Sequence, residues 1–112
     1  MTVEKLIEKL SLKSLSLPEK EREITGGYTG DLLSWVMGNA KSGDVWITIM
    51  SNINIVAVAS LTDVACIILA ENVEVDEKTV TTAESRGINI LSSKLSAFEL
   101  AHKVSRLIKG NE

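Results

Sequence analysis

A single cysteine, Cys66, removes any intrachain disulfide, and one Cys with one His, His102, cannot build a Cys/His metal cluster. Positive charge is in deficit too. Lys and Arg total 12 against 15 Asp and Glu, a net charge of −3. Nucleic-acid binding rests mainly on neutralising phosphates, so that class is disfavoured. No apolar run is long and unbroken enough to span a bilayer, and MTVEKLIEKL lacks the apolar core of a signal peptide. The expectation is a soluble cytoplasmic protein without membrane, nucleic-acid or metal partners, and with no cofactor. At 112 residues the chain is one domain long, with 45% hydrophobic residues to bury. Cys66 lies within DVACIILA and reads as a small buried hydrophobe.

What is present is a βα pattern. Val3, Leu6, Ile7 and Leu10 fall at helical spacing behind Thr2, a candidate N-cap. Pro18, the only proline, closes this leader and linker, residues 1–22, and the main domain is expected over 23–112. EREITGGY predicts a strand weakened at its end by Gly26 and Gly27. Asp31 is then placed to cap a helix over 32–39. VWITIM (45–50) is β-branched and aromatic, and ACIIL (65–69) suits a strand covered on both faces. Propensity favours a strand for NINIVAVASLT (52–62), but two buried parallel strands need a helical crossover between them. A helix over 54–62, capped by Asn52 or Asn54, is therefore predicted. A helix opening at Asp76, a strand at 88–91, and a helix over 96–110 with a Ser96/Glu99 capping box complete the order. His102 falls off the apolar stripe of that last helix and is expected to face solvent. The fold class is α/β: a single domain with a parallel sheet of about four strands, helices on its faces and a leader helix in front.

GGYTGD (26–31) invites comparison with phosphate loops. It is not G-x-G-x-x-G, because Thr25 stands where the first glycine belongs, and it lacks the Gly-Lys-Ser/Thr ending of a P-loop. It reads mainly as a backbone corner. The carboxyl edge of a parallel sheet is where ligands bind. Candidate small-molecule contacts are therefore Gly26, Gly27 and Tyr28, with Ser51, Asn52 and Asn54 after the second strand and Glu71 and Asn72 after the third. No serine sits in a nucleophile-elbow setting, so catalysis would fall to carboxylates such as Asp31 or Asp63. A small hydrolase or transferase using one of them is the rival reading, and a pure protein–protein scaffold is another. Leu32, Trp35 and Met37 on one helix, with Ile55 and Val58 on another, mark a charge-poor surface expected to join a homodimer.

The element order and the stretch GGYTGDLLSWVMGNAKSGDVWITIMSNINIVAVASLTDVACIILAENVEVDE (26–77) resemble the DRTGG-domain family. The resemblance runs from about Glu23 to Leu107. Such domains occur beside phosphotransacetylase, HPr kinase/phosphorylase and pyrophosphatase domains, and as small stand-alone proteins. The resemblance implies an α/β module that tends to dimerise, serves a partner enzyme and has no catalytic residues of its own. The family's Asp-Arg and Thr-Gly-Gly signatures fall at Ser51-Asn52-Ile53-Asn54 and Ala70-Glu71-Asn72 here, so neither signature is spelled out.

Overall fold

The computed structural model describes residues 1–110. Helix α1 (Val3–Leu10) forms where the spacing predicts it: Thr2 accepts from the Lys5 N–H at its start, and Ser11 ends it in the left-handed region. Val3 and Leu6 are fully buried. Then come β1 (Lys13–Ser16), β2 (Gly26–Thr29), α2 (Leu33–Asn39), β3 (Asp44–Thr48), α3 (Asn54–Thr62) and β4 (Cys66–Leu69). The chain continues through α4 (Glu77–Ser85), β5 (Ile90–Ser92) and α5 (Ala97–Ile108).

The five strands form one sheet in the order β1-β5-β4-β3-β2. β2, β3, β4 and β5 run parallel, as an α/β reading requires, and β1 lies antiparallel on β5. This fifth strand falls within residues 1–22, where the sequence reading assigns only a helix and a linker. Its four residues, KSLS, carry too little apolar alternation to announce a strand. Leucines and valines of α1 and α5 cover one face of the sheet, packing on Val45, Ile47, Cys66, Ile68 and Leu91. Helices α2, α3 and α4 cover the other, against Trp46, Ile67, Leu69 and Ile90. A helix links each successive pair of parallel strands, which places residues 54–62 in a helix despite their β-branched composition.

Three local readings are corrected. The first strand of the parallel set begins at Gly26, so the glycine pair is strand and not the end of one; Glu23 makes only an isolated bridge to Thr2. Asp31 does not cap α2. The N-cap is Leu32, with no side-chain cap bond, while Asp31 Oδ1 accepts from Thr48 Oγ1 at 2.8 Å and the Ile49 N–H at 3.0 Å. Donors at the end of β3, distant in sequence, win the carboxylate. The N-cap of α3 is likewise Ile53, and Asn52 Oδ1 turns the chain ahead of it by accepting from the Asn54 N–H at 2.9 Å. Asp76 and the Ser96/Glu99 box cap their helices as read, and His102 is exposed.

Candidate functional site

Parallel pairing fixes which way each residue of β2 faces. Gly27 pairs with Val45 and Thr29 with Ile47, and those partners belong to the core beneath α1 and α5. Gly27 and Thr29 therefore face α5. Tyr28 pairs with Trp46 and packs on the opposite face, with α2. Between β2 and α5 runs a half-open groove of about 380 Å³. Its floor is Gly26, Gly27, Thr29 and Ile47, with Tyr28 at its rim. Its far wall is Ala101, Val104, Ser105, Ile108 and Lys109.

The glycines of the groove differ in why they are glycines. A Cβ on Gly26 would stand 2.8 Å from Asp44 Oδ1, and one on Gly30 would stand 3.1 Å from the Tyr28 ring. Both are excluded by neighbours. A Cβ on Gly27 would meet only the Val45 carbonyl oxygen at 3.6 Å, an ordinary contact, and its φ is not left-handed. Nothing in the fold requires glycine at 27. What the missing side chain provides is an open floor beside α5. The groove offers an apolar surface, two hydroxyls and one ammonium, and no carboxylate or imidazole among the described residues lines it. Such a lining suits holding a molecule better than transforming it.

The structure separates the sequence-predicted contacts into two places. Gly26, Gly27 and Tyr28 lie in the groove. Ser51, Asn52 and Asn54 follow β3, and Glu71 and Asn72 follow β4, at the carboxyl edge of the sheet. Gly26 pairs with Asp44 at the amino end of the ladder, which is why the two sets part. At the carboxyl edge Glu71 and Asn72 both adopt left-handed angles, φ 62° and 55°. Their N–H groups donate to Leu95 O at 2.9 Å and Ser93 O at 2.8 Å, and these bonds hold the turn onto the approach to α5.

Asp31 and Asp63 do not meet. Asp31 is bound at the carboxyl end of β3. Asp63 sits at the amino end, where Arg22 Nη1 and Nη2 donate to its two oxygens at 3.0 Å each. Ser42 Oγ donates to it at 2.5 Å. The Arg22 hydrogen bonds, and then that of Ser42, hold the Asp63 carboxyl below the ordinary carboxylate range. Roughly 16 Å of β3, at about 3.3 Å per residue, divides the two acids. They form no acid–base pair. Among the described residues no group of three His, Cys, Asp or Glu could hold a metal. Burial pushes the Cys66 thiol up to about 12, so it is inert at neutral pH. No helix among the described residues is long and apolar enough to cross a membrane.

The apolar surface also divides. Leu32, Trp35 and Met37 are exposed, Trp35 at 65%. Ile55 and Val58 are not available to a second chain, because α3 turns them into its own core at 0% and 5% exposure. The apolar composition of α3 reflects a helix packed on both the sheet and its neighbours. Its large exposed apolar residues are Ile53, just before it, and Leu61. Sequence reading missed the α5 wall of the groove. The small residues Ala101 and Ser105, one turn apart, are the signal that could have indicated it.

The fold is shared with a crystal structure of the CBS and DRTGG domains of the regulatory region of Clostridium perfringens pyrophosphatase, complexed with its activator, diadenosine tetraphosphate. The match has a TM-score of 0.68 at 18% identity and covers 96% of this chain. The chain spans 45% of the length of that protein. No curated protein matches its sequence. A model of the DRTGG domain matches residues 30–107, about two-thirds of the sequence, and the chain belongs to the DRTGG-domain family.

Proposed function

We propose that this chain is a non-catalytic regulatory or assembly module that works as a homodimer and senses a small nucleotide-like or phosphorylated molecule on behalf of a partner enzyme. The observation that carries this reading is the groove between β2 and α5. It is large enough for a ring system, floored by a glycine that the fold does not need, and supplied with Thr29, Ser105 and Lys109 as polar anchors. The likeness to a regulatory region holding a dinucleotide activator supports the ligand class. The separation of Asp31 from Asp63 speaks against the hydrolase or transferase reading. The carboxyl-edge residues Ser51, Asn52, Asn54, Glu71 and Asn72 form a second candidate contact set, favoured by the strained pair Glu71-Asn72.

A thermal-shift series with ATP, diadenosine tetraphosphate and acetyl phosphate tests the reading. A ligand at a hundredfold excess over its Kd stabilises by about 2.7 kcal/mol. That is a rise of roughly 10 °C or more for a domain of this size. Gly27→Leu, which fills the floor, should abolish the shift while leaving the unliganded melting temperature within a few degrees. No shift with any probe at millimolar concentration, or turnover of one of them, would overturn the sensing role.

A further inference from the structure

The open side of β2 is built unlike the other edge of the sheet. β1 carries Lys13 and a register shift between Ser14 and Ser16, both of which discourage strand addition. β2 is Gly-Gly-Tyr-Thr, with no charge, no proline and no bulge. Gly30 N–H donates to Ile47 O at 3.2 Å across the pair with β3. A strand alternates, so Tyr28 also directs its backbone groups to β3, and Gly27 and Thr29 direct theirs outward. That leaves two donors and two acceptors along an edge with which no strand of the described residues pairs.

We infer that β2 is the seam of a homodimer, in which a second copy adds its own β2 antiparallel to the first, centred on Tyr28. This deepens the homodimeric reading above and rests on it. The register follows from the outward groups: only pairing Gly27 with Thr29 of the second copy, and Thr29 with its Gly27, employs all four. Tyr28 then lies opposite Tyr28 on the two-fold axis, as a pair without hydrogen bonds between the two residues.

A second copy is the fitting occupant because the surface is self-compatible. Between Ile24 and Ala40 the only formal charge is Asp31, already engaged by Thr48 and Ile49. A two-fold axis sets like against like, and a neutral surface meets itself without repulsion. The flank of α2 beside β2 adds area. Asn39 shares a hollow with Gly26, Gly27 and Tyr28, which the opposite charges of Lys41 and Asp44 also line, and Trp35, one turn earlier, lies on the same flank and accepts from Asn39 Nδ2 through its carbonyl at 2.9 Å. An axis perpendicular to the sheet brings Trp35 of each copy against α2 of the other. On the opposite face the two grooves join into one cavity with a Lys109 at each end. A ligand there would touch both copies, so sensing and assembly become one equilibrium.

Light scattering on the full chain near 10 µM should give twice the 12.1 kDa of one chain. Trp35→Glu and Gly27→Pro should each weaken the dimer at least tenfold, with an unchanged far-UV spectrum. Trp35 is exposed, so its variant folds even if a proline at 27 is not tolerated. Tyr28→Cys supplies an independent readout. The two new thiols would sit at a Cα separation of about 4.5 Å, within disulfide range, and oxidation should yield a cross-linked dimer. The wild type should give none, because Cys66 is buried. A wild-type dimer that survives both substitutions, or that loses stability in Trp35→Glu yet never cross-links through position 28, overturns the seam and leaves the homodimer standing. A wild-type mass of one chain overturns both.

Discussion

The two edges of this sheet are the same kind of structure treated in opposite ways. β1 is fastened from several sides. Ser16 Oγ donates to Ile88 O at 2.8 Å, and Asn89, itself buried, holds the chain just beyond β1. Asn89 Oδ1 accepts from the Glu19 N–H, while its Nδ2 donates to Glu19 O at 2.8 Å and Ala65 O at 3.0 Å. β2 has β3 on one side and no strand of the described residues on the other, and its residues alternate between half-buried and exposed. Folding secures one edge with side-chain hydrogen bonds and an N-terminal helix. It leaves the other bare, next to a groove and an exposed tryptophan. Edge strands are normally protected against association, so an unprotected one beside a groove is where the proposed seam is most readily tested.

The largest expected effect lies on the fastened side. Leu6 is fully buried beneath α1, and Leu6→Ala should cost about 3 kcal/mol in urea unfolding. Leu32→Ala, on the open side and 67% exposed, should stay within about 0.5 kcal/mol of wild type. Equal losses at the two positions would erase the contrast. Next comes Asn89→Ala, which strands the buried Ala65 carbonyl and frees Glu19. A loss of about 2 kcal/mol is expected, while the oligomeric state stays that of wild type. A change of assembly in that variant would mean that the β1 side also carries a partner.

The parts of this contrast that the sequence could reveal are those with periodic or topological signals. The capping box at Ser96 and the cap at Asp76 are short-range patterns and form as written. The helix at Asn54–Thr62 could be predicted only because β3 and β4 had to be parallel; its own residues favour a strand. β1 escaped because KSLS is held by contacts from residues about 70 positions away. Asp31 was misread for the same reason, since its donors Thr48 and Ile49 are reached only once the sheet has formed. The candidate site was half legible. Gly26, Gly27 and Tyr28 could be singled out, but whether they stood at the carboxyl edge depended on where β2 begins. Ile55 and Val58 were read as surface because apolar composition does not tell a helix covered by its own subunit from one covered by another.

The question of fold against function can be put next to Glu71. A non-glycine residue in the left-handed region costs roughly 1–2 kcal/mol, partly offset by the greater freedom that glycine loses on folding. Glu71→Gly should therefore stabilise the chain by about 1 kcal/mol, and Asn72→Gly by less, since Asn tolerates this conformation. If Glu71→Gly gains stability and the ligand-induced thermal shift is unchanged, the strain is unrelated to that ligand. A gain accompanied by loss of the shift would place the ligand at the carboxyl edge and away from the β2 groove.

The smallest effect concerns the crossing between the two edges. Residues 17–25 carry the chain from β1 to β2, and Arg22 ties that segment to Asp63 and Ser42 at the amino end of the sheet. The folded-state pKa of Asp63 is lowered, first by the Arg22 hydrogen bonds and next by Ser42. A depressed carboxylate contributes stability that is fully present above its unfolded pKa, about 3.9, and is lost as pH falls through the folded value. The Asp63 side chain is 61% exposed, so solvent and salt screen most of the interaction. Asp63→Asn should therefore lower the melting temperature by only a degree or two at pH 7. That difference should shrink as both proteins are taken from pH 5 to pH 3, and again in 1 M NaCl. A difference that widens in acid would mean that Asp63 is stabilised in its protonated form, and the clasp with Arg22 would not be an ion pair in solution.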